Sequence, residues 1–233
     1  MKQINNYISE KLYIGKKYDR FMYHPKTTDE LRSAITRVLK DSGLNADLNI
    51  IDTSEITDMS FLFNTNKNIE HIDISEWDTS KVITMRYMFP DCSKFNCDLS
   101  KWDVSNVIYM NSMFDDCLEF NGDLSNWNLR NVKDVNNMFK NCKEFEGKGL
   151  ETWNVSNISE MDQMFLGCYK FNADISKWNV KNVTDMAEMF KYCQSFDRDL
   201  SKWNVKNVSH RYGVFSYANP DWDIKRKPKF ENK

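Results

Sequence analysis

The octapeptide SKWNVKNV stands at residues 176–183 and again, letter for letter, at residues 201–208, 25 positions on. A fixed period of this length marks stacked repeat units, each too small to bury its apolar face alone. Tryptophan measures its extent. Trp77, Trp102, Trp127, Trp153, Trp178 and Trp203 are spaced by 25, 25, 26, 25 and 25 residues and mark six coils. Counting back 26 from Trp77 reaches Ile51, where LNADLNIIDTSEITDM aligns with FNADISKWNVKNVTDM from Phe171 onward, so a seventh, degenerate coil begins near Leu44. The one-residue slips fall in TNKNIEHID and EFEGKGLET, between recurring apolar positions, where a repeat array accepts surface insertions.

Within one unit the apolar letters are Leu99, Trp102, Val104, Val107, Met110, Met113, Phe114, Cys117 and Phe120. Trp102 and Val104 alternate as in a short strand. From Val107 to Cys117 the spacing of three, three, one and three places five residues on one face of a short helix. Asn106, Asn131, Asn157, Asn182 and Asn207 precede this segment, with Asp134, Glu160 and Asp185 three places later in their coils. That pattern predicts a capping box, with Asn accepting from free backbone amides and the acid reaching back. The expected fold is therefore an α/β repeat solenoid of about seven strand-turn-short-helix coils. Its core columns include the six Trp and Phe89, Phe114, Phe139, Phe165 and Phe190.

The ends differ from the array. KTTDELRSAITRVLKDSG predicts an amphipathic helix capped near Thr27 or Thr28, with Leu31, Ala34, Ile35, Val38 and Leu39 on one face and Gly43 as terminator. It would cover the open end of the first coil, as repeat arrays require. Residues 1–43 thus form an N-terminal segment with a capping helix, residues 44–215 the array, and residues 216–233 a second cap with a basic tail, where Ala218 replaces the repeated Cys and Pro220 enters. The 4 Pro and 7 Gly, against 14% aromatic residues and 12 Met, exclude disordered and collagen-like classes. No run of 18 apolar residues would span a membrane, and MKQINNYISEKLYIGKK lacks the apolar core of a secretion signal. A cytoplasmic protein is expected if Met1 is the native start, and a cell-surface one if an export signal has been removed.

Six Cys invite a disulfide or metal reading. Cys92, Cys117, Cys142, Cys168 and Cys193 keep one place in successive coils, which points to buried free thiols, with disulfides in an exported setting and metal as the alternatives. Cys97 lies outside that register and is expected as an exposed thiol. His24, His71 and His210 have no metal-ligand spacing, and phosphate loops, nucleophile elbows and triad signatures are missing from the sequence. No catalytic residue, cofactor or metal site is predicted, and the chain is expected not to be an enzyme.

Function is then sought where the repeat leaves letters free. Positions just before and after Trp, and before the recurring Asn, should share one exposed face. They offer Asp52, Glu76, Asp78 and Asp103 in the first coils and Lys177, Lys181, Lys202 and Lys206 in the last two. Residues 44–110 hold 5 basic and 11 acidic side chains, residues 111–168 hold 5 and 10, and residues 169–233 hold 13 and 8, a polarity the overall charge of -2 conceals. A ladder of like charges invites a counter-charged partner. On the other side Phe61, Tyr87 and Tyr109 are candidate aromatic anchors, or else pack on the N-terminal helix. The tail KRKPK is a solvated end or a weak contact to nucleic acid or acidic protein.

The unit LSKWDVSNVIYMNSMFDDCLEFNGD strongly resembles the BspA-like leucine-rich repeat proteins, in the branch first described from mycoplasma lipoproteins as a bacterial domain of unknown function. The resemblance covers Leu44 to Phe215 and implies a right-handed leucine-rich-repeat solenoid used for adhesion or protein binding. It brings no catalytic residue. The chain departs from that family in lacking an export signal or lipobox cysteine near its start. The expected function is binding of another protein, as an inhibitor or modulator covering a basic, nucleic-acid-binding surface of an enzyme. An exported adhesin for host protein or matrix is the alternative, and nucleic-acid binding through the basic C-terminal coils is a third, disfavoured by the acidic body.

Overall fold

Backbone amides in this chain take two destinations by turns. The computed structural model describes residues 19–230; residues 1–18, the opening read for a signal, and the last three residues of the tail lie outside the described residues. In the third coil, Met110, Ser112, Phe114 and Asp116 donate their N–H groups to Asp134, Asn136, Met138 and Lys140 of the next coil, at 2.8–3.0 Å. The amides between them, Met113, Asp115 and Cys117, fold back onto the carbonyls three residues earlier. The same division recurs at the following interfaces, from Val135, Asn137, Phe139 and Asn141 to the coil beyond, and from Met161, Gln163, Phe165 and Gly167 onward.

This division requires two left-handed residues per coil, four places apart: Tyr87 and Asp91, Ser112 and Asp116, Asn137 and Asn141, Gln163 and Gly167, Glu188 and Tyr192, Gly213 and Tyr217. Each reverses the local handedness, so that no helix can propagate and alternate amides face along the stack. The α/β solenoid of strand, turn and short helix that the sequence predicts therefore does not form, and the leucine-rich-repeat geometry goes with it. Among the described residues the α-helix α1, Thr28–Ser42, is the one α-helix, and no sheet is built. Eight isolated parallel bridges stand in its place, running Asp58, Thr84, Tyr109, Asp134, Glu160, Asp185, His210 through the coils, with Tyr23 to Ile51 and Asp47 to Asp73 beside them.

The predicted strand fails for a related reason. Trp102 N–H turns back to Leu99 O at 3.1 Å and Val107 N–H to Val104 O at 3.0 Å, so this side of the coil is built of turns. Side chains link the coils there instead. Each Trp donates its Nε1–H to a carbonyl of the preceding coil: Trp77 to Leu48, Trp102 to Ile74, Trp127 to Leu99, Trp153 to Leu124, Trp178 to Leu150 and Trp203 to Ile175, at 2.8–3.2 Å. The recurring Asn does the same. Asn106, Asn131, Asn157, Asn182 and Asn207 donate Nδ2–H to Ser80, Ser105, Arg130, Ser156 and Lys181 carbonyls at 2.6–2.7 Å. The capping-box expectation is thus reversed: Asn is a donor between coils. Asp134 and Asp185 accept forward, from Asn136 and Ala187 N–H, closing Asx turns.

Between these two sides lies an aromatic core. Phe63, Phe89, Phe114, Phe139, Phe165 and Phe190 stack in one column with ring centroids 5.1–5.9 Å apart. A second column, Phe95, Phe120, Phe145, Phe171 and Phe196, lies against it. Trp77 and Trp102, Trp127 and Trp153, and Trp153, Trp178 and Trp203 stack at 6.3–6.4 Å. The predicted core Trp and Phe residues are all buried.

Both ends are closed by chemistry the array lacks. Helix α1 has Thr27 as its N-cap, accepting from Glu30 N–H, and buries Leu31, Ala34, Ile35, Val38 and Leu39. Its Thr28 hydroxyl donates to Asp58 O at 2.7 Å and Arg32 donates to Ser60 O at 2.6 Å. Those carbonyls occupy the positions that receive amides from a preceding coil elsewhere in the stack, so two side chains replace a missing coil. At the other end Trp222 meets Phe190, Phe196 and Phe215 edge-on, at 73°, 82° and 89°, which ends the face-to-face column. Its Nε1 donates to Arg198 O, and Leu200 N–H to Arg226 O, which lays the tail along the last coil.

The slip between Trp127 and Trp153 is absorbed at Gly149, φ 93°, followed by a single 3-10 turn over Leu150–Thr152. A Cβ on Gly149 would lie 2.2 Å from Ser125 N, whereas one on Gly43, φ 84°, would touch nothing within 4 Å. Gly149→Ala is expected to cost more by urea unfolding than Gly43→Ala, whose φ of 84° and ψ of -176° carry about 1–3 kcal/mol of backbone strain and no clash. Equal costs at the two sites would contradict the close approach at Gly149.

Candidate protein-binding face

Outward and inward side chains alternate around each Trp although no strand is present. Glu76, Asp78, Asp103, Lys177, Lys181, Lys202 and Lys206 are exposed, while the Trp and Val between them are buried. Register from coil to coil is fixed by Thr53 Oγ1–H to Asp78 O and Thr79 Oγ1–H to Asp103 O, both at 3.0 Å, in addition to the Asn and Trp links.

The position after Trp is an Asx-turn acceptor in every coil. Asp52, Asp78 and Asp103 accept from Ser54, Ser80 and Ser105 N–H at 2.9–3.0 Å. Asn128, Asn154, Asn179 and Asn204 accept from Arg130, Ser156, Lys181 and Lys206 N–H at 3.1–3.4 Å. Acid and amide both close the turn, the acid at the shorter distances, so the turn does not by itself dictate the charge.

The acids of this face have unequal freedom. Asp52, Glu76 and Asp78 line one cleft with Arg20 and Phe21. Asp52 is half-buried and lies 3.4 Å from His24 Nδ1. Burial pushes its carboxyl up, but hydrogen bonds from Ser54 and His24 outweigh this and hold it below the usual value. Glu76 is ion-paired with Lys101. Asp78 and Asp103 take part in no ion pair among the described residues, and the same holds for Lys177, Lys181, Lys202 and Lys206.

On the turn side, Phe61 and Tyr87 stack in parallel at 5.0 Å, both at left-handed positions. Tyr109 is apart from that pair and carries the Arg86 guanidinium 3.9 Å above its ring. The sequence reading missed a second pair, Tyr192 and Tyr217, stacked at 5.0 Å in the last coils, with Tyr212 82% exposed nearby in sequence. Their signal was positional: they replace the Asp, Asn and Gly of the second left-handed column.

The recurring acids that the sequence reading took for capping-box partners instead form a carboxylate column. Asp134, Glu160 and Asp185 follow one another through the bridges, with Asp162 beside them. Burial, reinforced by Asp185, Asp134 and Glu160, pushes Asp162 up to about 6. Asp115, whose Oδ1 lacks a hydrogen-bond donor although Lys140 Nζ is 3.5 Å away, is also raised to about 6, chiefly by burial.

All six Cys are free and buried. Cys97 is not the exposed thiol expected: its Sγ donates to Ile72 O at 2.7 Å, and burial raises it to about 12. Cys117, Cys142, Cys168 and Cys193 each donate to a Phe carbonyl of the previous coil. Among the described residues no cluster of His, Cys, Asp and Glu is arranged to hold a metal, and no helix is long and apolar enough to cross a membrane.

The model of the family described as Mycoplasma protein of unknown function, DUF285, matches residues 33–150 and again 136–226. The chain belongs to this family. No curated protein and no solved structure matches it. The two matches overlap at residues 136–150, within the array, and together run from inside α1 to the tail.

Two outcomes test this chemistry. Asp162 has a folded value above its unfolded one, so the folded state holds the extra proton, and stability falls as pH rises from about 4 through about 6. Asp162→Asn should therefore raise the melting temperature at pH 7 and leave it unchanged near pH 4; solvent screening keeps the gain to about 1 kcal/mol or less. A thiol reagent at pH 8 should label all six Cys only as fast as the protein unfolds, and rapid labelling of Cys97 in the native state would contradict its placement.

Proposed function

We propose that this chain is a non-enzymatic protein-binding module and that the face flanking the Trp column carries the contact. The observation that supports this is the interchange of Asp and Asn after Trp. The turn is made with either residue, yet Asp occupies the first coils and Asn the later ones, while Lys177, Lys181, Lys202 and Lys206 gather at the far end. Charge segregated where the turn does not by itself dictate it fits a surface selected for electrostatic recognition.

In this reading the acidic half, with Asp78 and Asp103 unpaired among the described residues, meets a basic surface of a partner protein and modulates it by covering that surface. The resemblance of the 25-residue unit to BspA-like repeats agrees with a binding role, without the leucine-rich-repeat geometry. An exported adhesin is the second reading and rests on that resemblance alone.

Asp52, Asp78 and Asp103→Asn together remove three charges and keep the Asx acceptor that Asn128, Asn154, Asn179 and Asn204 already provide. With wild type and this variant as parallel baits at about 50 mM salt, a partner should be retained by wild type, lost by the variant and released at high salt. Identical captures would refute the acidic half as the contact.

A further inference from the structure

The outward positions on the Trp side change sign along the stack. The first coil presents the half-buried Asp52, the second Glu76 and Asp78, the third Asp103 with Lys101, whose charge Glu76 neutralises, and the last two present Lys177 with Lys181 and Lys202 with Lys206. Between them the fourth and fifth coils offer Asn126, Asn128, Thr152, Asn154 and Ser156, with Arg130 the one charge at these positions. The face is acidic at one end, nearly neutral at its middle and basic at the other.

Such a face is complementary to itself under one operation. Two copies placed face to face and parallel would set acid on acid and Lys on Lys. Turned antiparallel about a twofold axis through the neutral fourth and fifth coils, each acidic half meets a basic half, and the contact is made twice. End-to-end stacking is not the alternative. The N-terminal end carries α1, which occupies the carbonyls of Asp58 and Ser60, and the C-terminal end carries Trp222 turned edge-on to the Phe columns.

We infer that this face pairs with a second copy of the same chain as a closed, antiparallel, salt-sensitive dimer. It uses the face of the proposed function but does not need a foreign partner. A basic partner would compete with the Lys half of the second copy for the same acids.

Sedimentation equilibrium of the full chain tests this with two variants. One carries Asp52, Asp78 and Asp103→Asn. The other carries Lys177, Lys181, Lys202 and Lys206→Gln, which leaves Lys181 and Lys206 N–H free to donate to Asn179 and Asn204 as before. Near-UV circular dichroism of the Trp stack confirms that both are folded. Wild type should be dimeric at about 50 mM salt, stop at two copies, and dissociate at least about tenfold more readily at about 500 mM. Each variant alone should be monomeric. Their mixture should recover a heterodimer, because the intact acids of one face the intact Lys of the other. Wild type that stays monomeric at low salt, or variants that dimerise alone as well as wild type does, would overturn the inference. If wild type is monomeric yet still captures a partner through Asp52, Asp78 and Asp103, the dimer is refuted and the proposed function is kept. Growth beyond two copies would refute the closed antiparallel arrangement in favour of an open contact.

Discussion

Alternate backbone amides leave each coil for the next, and the rest of the molecule follows from that division. A buried N–H without an acceptor costs about 1–3 kcal/mol, so a coil of this kind cannot stand alone. Its neighbour supplies the acceptors, and the left-handed pairs aim the donors. Once the amides are aimed, equivalent side chains fall above one another. The Phe columns, the Trp stack and the Cys thiols donating to Phe carbonyls are consequences of that register. The strain of placing Tyr87 or Gln163 at positive φ is offset by the same ladder, which fixes them from both sides.

Polar groups inside the stack obey the same accounting. Each core Trp has a carbonyl of the preceding coil within reach of its indole N–H; that carbonyl already accepts a backbone N–H of its own coil, so the Trp adds a second donor that ties the two coils together, a link Phe could not make. The recurring Asn plays the equivalent role nearer the surface. At the ends, where no neighbouring coil exists, Thr28 and Arg32 at one side and Trp222 at the other substitute side chains for backbone.

The period, the buried columns and α1 were legible in the sequence because burial leaves its mark at fixed positions: Trp77 to Trp203, and Leu31 to Leu39 on one helical face. The local conformation was not. A spacing of three, three, one and three between Val107 and Cys117 is common to a helical turn and to a ribbon of tight turns, and only left-handed residues separate the two. Gly167 and Asn141 hint at them, but Tyr87, Gln163 and Glu188 carry no such signature. Asn before an apolar run likewise has two meanings, acceptor at a helix start or donor across coils, and the choice depends on a neighbour 26 residues away. The charged face was legible since exposure alternates whether or not a strand forms. The pairing of Glu76 with Lys101 was not, nor was the place of the recurring Asp134, Glu160 and Asp185 in the bridges between coils, because both are fixed only when coils are set in register.

That register also gives the surface its direction. Glu55 pairs with Lys81, Glu70 with Lys94, Glu76 with Lys101, Asp115 with Lys140, Asp123 with Lys148 and Glu144 with Lys170, the acid always one coil before the Lys; Lys67 with Asp91 runs the other way. Exposed pairs of this kind contribute about 0–1 kcal/mol each, so stability alone does not explain a consistent order. The order has an electrostatic consequence. In such pairs a Lys is neutralised from the coil before it when that coil supplies an acid at the facing position, and is left open when it does not. In the column before Trp the sequence Glu76, Lys101, Asn126, Thr152, Lys177, Lys202 shows both states: Lys101 is neutralised by its predecessor, while Lys177 follows an uncharged Thr152 and Lys202 follows another Lys. The staples between coils and the opposite charges at the two ends of the face are therefore one pattern, paired where the neighbouring coil supplies the counter-charge and left open to solvent, or to a partner, where it does not.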